Sequence, residues 1–164
     1  MLKTSRVRLV VRPTLKNIIV QFVEYQPGGD KVLAGLNSKI LDKHGWTVHK
    51  GNLPAAYLAG FMLGKHAVKK GITEAVLDTG LIHPIVGGKI YACAKGVRDA
   101  GVDVPIDEEV LPSEERIRGE HIAAYAKIKK DVFTDYAQKK VSPTEIVKLF
   151  EKVKKAINED KNEK

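Results

Sequence analysis

The sequence predicts an α/β domain of three layers: a mixed sheet in a β-β-β-α-β-α core, covered by helices, with additional C-terminal helices. Three observations predict it. Alternating apolar segments between Arg6 and Ser38 are joined by loops short enough to make antiparallel neighbours. Two helical segments with good start and stop residues flank a short apolar run at Glu74–Gly80. Beyond residue 111, two further helical patterns carry capping residues and an apolar stripe.

The first strand lies in RVRLVVRP, where Arg6, Arg8 and Arg12 alternate with Val7, Leu9 and Val11. Successive side chains of a strand point to opposite faces, so the arginines share the side away from the apolar edge. Lys3 and Lys16 flank the run, and no acid precedes Glu24. The segment Asn17–Tyr25 alternates next, with Ile18, Val20 and Phe22 on one face and Asn17, Ile19, Gln21, Val23 and Tyr25 on the other. Pro27–Asp30 is a hairpin signal, and Lys31–Ser38 closes an antiparallel meander. Lys39–Gly51 is polar and punctuated by glycine; its Trp46 suits a core plug better than an exposed stacking platform.

Asn52 as N-cap and Pro54 in the first turn open a helix to about Lys70, closed by Gly71. Ala56, Gly60 and Gly64 recur every four residues on it and predict close approach of the helix to the sheet. Glu74–Gly80 reads as a short buried strand, Gly88–Ala100 as a helix closed by Gly101, and Asp103–Ile106 as a last strand. Ser113, followed by Glu114 and Glu115, caps a further helix. Ser142-Pro143-Thr144-Glu145 starts the last one as a capping box. There Ile146, Leu149, Phe150, Val153 and Ile157 form a docking face for the same chain, ahead of a frayed tail. These elements divide into a core at 1–111 and a helical extension at 112–164 packed on it.

The formal charge is +8, and its distribution is uneven. Residues 1–98 hold 15 Lys and Arg against Glu24, Asp30, Asp42, Glu74 and Asp78, a net of +10, and the remainder nets −2. A basic front half of this kind usually meets nucleic acid. Cys93 is alone, which excludes an internal disulfide and fits a reducing compartment. No apolar run approaches the roughly 18 residues of a membrane span, and Arg6, Arg8 and Arg12 interrupt any signal-peptide core. A cytoplasmic protein without a membrane partner is the expectation.

Enzymatic readings fare poorly. Asp78-Thr79-Gly80 matches the triplet of aspartic proteases, but one copy cannot supply two carboxylates sharing a proton. The β-β-β-α-β-α order resembles the ribonuclease H-like layout, whose nucleases hold two metals between clustered acids. Here the first strand carries arginines and the helix at 53–70 has no acid, so the fold can be that of a nuclease while the chemistry is absent. His44, His49 and Cys93 show no zinc-ligand spacing. No catalytic residue, metal or cofactor is therefore expected. Gly87-Gly88-Lys89 either holds one phosphate at a helix start or is merely a turn. The loops around Lys50-Gly51-Asn52 and His83–Tyr91 are expected to approach one another at a sheet edge. Lys50, Asn52, His83, Lys89 and Tyr91 would there serve phosphate contact and base stacking.

Four segments, RLVVRPTLKNIIVQFVEY, GNLPAAYLAGFMLGKHA, GITEAVLDTGL and LPSEERIRGEHIAAYAK, together resemble the archaeal and eukaryotic form of the large-subunit ribosomal protein family that binds 5S rRNA. The resemblance implies a ribonuclease H-like fold without catalysis, in the large ribosomal subunit. It implies 5S rRNA, large-subunit rRNA and neighbouring ribosomal proteins of the central protuberance as partners. It assigns RNA contact to Arg6, Arg8, Arg12, Asn17 and Gln21, to Lys50, Gly51 and Asn52, and to His83, Gly88 and Lys89. Lys16 and Tyr91 join them from their positions in the sequence. The chain departs from the family in two places. Members usually carry a strongly basic extension ahead of the first strand, where Met1 here lies almost on it, and LIHPIVGGKI is poorer in arginine. A nuclease and a non-specific basic RNA or DNA binder are the competing readings.

Overall fold

The computed structural model describes residues 6–129, 136 and 142–159, which leaves Lys3 and the end of the tail outside the described residues. Strands β1 (Arg8–Pro13), β2 (Ile18–Glu24), β3 (Lys31–Asn37) and β4 (Val76–Asp78) form one mixed sheet in the order β3-β2-β1-β4. β1–β2 and β2–β3 are antiparallel, and β4 joins β1 in parallel. The alternation sets the faces as expected. Leu9, Val11, Ile18, Val20 and Phe22 are fully buried on the helix side. Arg12, Ile19, Gln21 and Gly35 lie on the other side, where all four reach solvent.

β4 is shorter than predicted and half-buried rather than buried. The expected last strand is reduced to a single parallel bridge between Glu74 and Asp103. The Asp103 N–H donates to Thr73 and the Ala75 N–H to Asp103. The next donor in that ladder would be Pro105, which has no N–H, so the pairing stops there.

Helix α1 (Leu53–Lys69) starts at Asn52, whose side-chain oxygen accepts from the Ala55 N–H at 2.9 Å, and ends before Gly71 at φ +77°. The glycine groove on α1 does not face the sheet, as the spacing had suggested. It receives helix α2 (Lys89–Asp99). A Cβ at Gly60 would lie 2.0 Å from the Cys93 carbonyl oxygen, and one at Gly96 would lie 2.2 Å from that of Tyr57. Gly64 approaches Val97 and Ala100 in the same way. Gly60 meeting Cys93 and Gly64 meeting Val97 make the helices run in one direction, so both start at the same end of the sheet. Burial also pushes the Cys93 thiol well above its ordinary pKa.

The C-terminal helices form the third layer, outside α1. Ser113 starts α3 (Glu114–Arg118), but its hydroxyl makes no cap bond, and Glu114 instead pairs with Lys95 of α2. The single helix expected there is broken at Gly119, at φ +86°, before α4 (Glu120–Ile128). The capping box at 142–145 is not closed either. The Ser142 hydroxyl hydrogen-bonds that of Thr144 at 2.7 Å, and Pro143–Glu145 is a 3-10 turn leading into α5 (Ile146–Glu159). The apolar stripe does dock as predicted: Ile146, Phe150, Val153 and Ile157 are buried, with the Phe150 ring 5.6 Å from that of Tyr57.

Tyr57 ties the layers together. Its hydroxyl donates to Asp99 at 2.7 Å on α2 and accepts from Lys154 Nζ at 2.9 Å on α5. The Lys154 ammonium also sits 4.9 Å from the Tyr57 ring centre. Burial, and then the bond to Asp99, hold the phenol far above its ordinary pKa. Tyr57→Phe should remove both charged partners and cost about 1.5–3 kcal/mol in a urea melt. An unchanged midpoint would show that the hydroxyl contributes nothing to holding α2 and α5 on α1.

Candidate nucleic-acid interface

The open face of the sheet is electrically divided along β1. At its far end are the β1–β2 turn, the end of β3 and the start of α1, because β3 returns antiparallel to Ile19. Thr14 builds that turn: its N–H and its hydroxyl both donate to the Asn17 carbonyl at 2.8 Å. Lys16 is held out into solvent and Asn17 is half-buried beside it.

The Lys50-Gly51-Asn52 loop is packed directly on this turn. Ser38, fully buried, explains how: its hydroxyl accepts from the Ile18 N–H at 2.9 Å and donates to the Lys50 carbonyl at 2.8 Å. Gly51 fits because it lacks a side chain; a Cβ there would lie 2.9 Å from the Leu15 carbonyl. Its N–H donates to His49 Nδ1, so its backbone donor is taken within the loop. Asn52 is occupied at both ends of its amide, by the Ala55 N–H and by the Tyr136 hydroxyl at 3.4 Å. Lys50 pairs with Asp42 at 2.8 Å. Trp46 is the core plug, buried completely, with its indole N–H on the His49 carbonyl.

Sequence reasoning missed Lys39 and Lys43. Both are exposed on a 3-10 helix, Ser38–His44, that follows β3 at this same end. Lysines were visible there, but their placement depends on the turn of chain that Asn37 caps. Arg12 is exposed on β1 next to this end, and Gln21 lies on the neighbouring strand, opposite Val10. Thus Arg12, Lys16, Asn17 and Gln21 lie on or beside the open face near the turn, while Lys39 and Lys43 belong to a 3-10 helix that packs on α1 and α5 at the same end.

The opposite end of β1 differs. Arg8 donates to Asp30 Oδ2 at 2.5 Å through one terminal nitrogen and to Asp78 Oδ2 at 3.0 Å through the other. Arg6, though exposed, shares a pocket of about 130 Å³ with Glu74 and Asp103. The three arginines are therefore not equivalent, although they share one sequence alternation. Asp78 also ends β4 and accepts from the Gly80 N–H, as the plain reading of its triplet requires.

The β4–α2 loop emerges at the same end of the sheet as the β1–β2 turn, since β4 runs parallel to β1. His83 and Lys89 are exposed and Tyr91 is half-buried. The glycines at the helix start form a turn in which the Gly87 N–H donates to Val110 and the Gly88 N–H to Ile85, both at 2.9 Å, so these two donors are taken within the chain. Gly87 takes φ +68°, and a Cβ on Gly88 would lie 2.7 Å from the Ile85 carbonyl.

The described residues do not assemble the acid cluster of a two-metal nuclease. Both carboxylate oxygens of Asp78 accept from donors of the chain itself, and a guanidinium stands where a metal pair would need further acids. Among the described residues, no group of three or more His, Cys, Asp or Glu could hold a metal ion. None of the described helices is long and apolar enough to cross a membrane. The fold and site define an α/β protein with an open sheet face edged by arginine and lysine.

Comparison with known proteins gives this class a family. Residues 2–75 match the family described as ribosomal large subunit proteins 60S L5 and 50S L18. The large ribosomal subunit protein uL18 of Korarchaeum cryptofilum is 45% identical over 96% of this chain and 84% of its own length. Those of Methanothermobacter thermautotrophicus and Thermofilum pendens are 44% and 40% identical over 98% and 95% of this chain, and over 86% and 84% of their own lengths. The chain belongs to this family of large-subunit ribosomal proteins, and its role is structural rather than enzymatic.

Proposed function

We propose that this protein binds 5S rRNA and helps attach it to the central protuberance of the large subunit, within the cytoplasmic ribosome. The observation that supports the reading is the exposure of Arg12 on the open sheet face beside the β1–β2 turn that carries Lys16 and Asn17, with Lys39 and Lys43 exposed on the 3-10 helix that follows β3 at that end. Cations arranged along a surface, with amides between them, fit phosphate contact and positioning on a folded RNA. His83, Lys89 and Tyr91 extend the footprint from the β4–α2 loop, and Gln21 extends it along the sheet. Gly51, Asn52 and Gly88 contribute by shaping the loops, and Lys50 by its neighbourhood to the turn. Residues 1–111 carry this contact, while the helices of 112–164 buttress α1 and leave their outer faces for large-subunit rRNA or neighbouring ribosomal proteins.

Titration of the purified protein against 5S rRNA and against an unrelated structured RNA of equal length tests this. Tighter binding to 5S rRNA at physiological salt is expected, with both affinities falling as salt rises. Equal affinity for the two at physiological salt would leave a general basic RNA binder instead.

A further inference from the structure

Arg8 is one of three arginines that the sequence offers alike to RNA, and the structure gives it to two carboxylates. Its terminal nitrogens are divided between Asp30, at the β2–β3 hairpin, and Asp78, at the end of β4. The side chain is only 26% exposed. One guanidinium and two carboxylates carry a net charge of −1. Glu74 and Asp103 lie beyond them, across the neighbouring pocket that Arg6 lines. Both oxygens of Asp78 are used, and the clamp closes across residues 22 and 70 positions apart in the chain.

We propose that Asp30 and Asp78 form an acidic border on the sheet: they withhold Arg8 from phosphate and confine RNA to the Arg12–Lys16 end. They are thus specificity-determining residues of the RNA-binding face. A phosphate reaching Arg8 would have to displace two charge-assisted hydrogen bonds and then lie beside both displaced carboxylates. Arg12 and Lys16 feel this repulsion progressively less. Asp30, at the hairpin beside Arg8, is about four residues of strand from Arg12, roughly 13 Å and beyond the screening length of about 8 Å at physiological salt. Asp78, opposite Val10, stands only about two residues from Arg12, roughly 7 Å, but its charge is met by Arg8, and Lys16 in the turn lies further away. The border therefore acts locally. It penalises RNAs that settle along the whole strand and spares one seated at the turn.

The inference rests on the RNA-binding reading above, and its test separates the two. Arg8→Ala is a poor probe because it strands two acids. Asp30→Asn is better, since Asp30 is half-exposed on a hairpin. It should tighten binding to the unrelated structured RNA by about fivefold at physiological salt and steepen the log–log salt slope by about 1. Affinity for 5S rRNA should rise less, so the ratio of the two affinities falls. Asp30→Glu should keep the original slope and ratio. Asp78→Asn, which retains an oxygen for the Gly80 N–H, should repeat the Asp30→Asn result. An unchanged slope on the unrelated RNA, or weaker binding of 5S rRNA by Asp30→Asn, overturns the border. If the unaltered protein does not distinguish the two RNAs, the proposed function fails, and the slope on the unrelated RNA alone decides the border.

Discussion

Gly60→Ala should destabilise the protein by about 2–4 kcal/mol, and Gly96→Ala by as much. Alanine favours a helix over glycine by roughly 0.5–1 kcal/mol, so on an isolated helix both changes would be gains. Here the added Cβ of residue 60 meets the Cys93 carbonyl at 2.0 Å, and that of residue 96 meets the Tyr57 carbonyl at 2.2 Å. Both obstacles are backbone, which has no rotamer to retreat into. The helices must separate, and the separation propagates in two directions. Toward the sheet it loosens α1 and α2 on Leu9, Val11, Val20 and Phe22. Outward it shifts Tyr57, whose bonds to Asp99 and Lys154 and ring contact with Phe150 hold the third layer. For a domain of this size the loss corresponds to a fall in midpoint of about 5–15 °C. Gly28→Ala is the control: nothing lies within 4 Å of a Cβ there, and it should stay within about 0.5 kcal/mol of the parent. A Gly60→Ala protein melting with the Gly28→Ala control would show that the helix pair is not packed as described.

The sequence carried the three-stranded meander and α1 well because their signals are local. Alternation fixed the two faces of β1 and β2, and Asn52, Pro54 and Gly71 fixed the limits of α1 to within one residue. What it could not carry was the identity of distant partners. The four-residue spacing of Ala56, Gly60 and Gly64 announced a close approach, but a small-residue face does not say whether a sheet or a helix fills it. Pro105 ended a strand that its apolar neighbours advertised, and the consequence appears only once Ala75 is opposite. The site shows the same limit. Arg6, Arg8 and Arg12 look identical in an alternating run. Only the fold brings Asp30 and Asp78 to the middle one and leaves the third in solvent. Lys39 and Lys43 stand in a polar connection, and nothing local reveals that β3 carries it to the end of the sheet where the β1–β2 turn lies.

Arg12→Ala combined with Lys16→Ala should weaken 5S rRNA binding by roughly 30-fold at physiological salt and lower the log–log salt slope by about 2. Each phosphate contact releases about one counterion, worth roughly fivefold in affinity at this ionic strength, and two independent contacts multiply. Both side chains are exposed, so stability should change by less than about 0.5 kcal/mol, and the loss can be assigned to the interface. Net charge must be controlled, because removing two cations from any basic protein weakens RNA binding somewhat. Lys152→Ala with Lys155→Ala removes the same charge from exposed positions on α5, which lies across α1 from the sheet. That pair should leave the slope nearly unchanged. Equal losses in the two double variants would mean that the protein attracts RNA as a diffuse positive body. A loss confined to Arg12 and Lys16 places the phosphates at the turn, where Thr14 fixes the backbone, Ser38 locks the adjoining loop, and Arg12 and Lys16 are exposed while Asp30 and Asp78 hold Arg8.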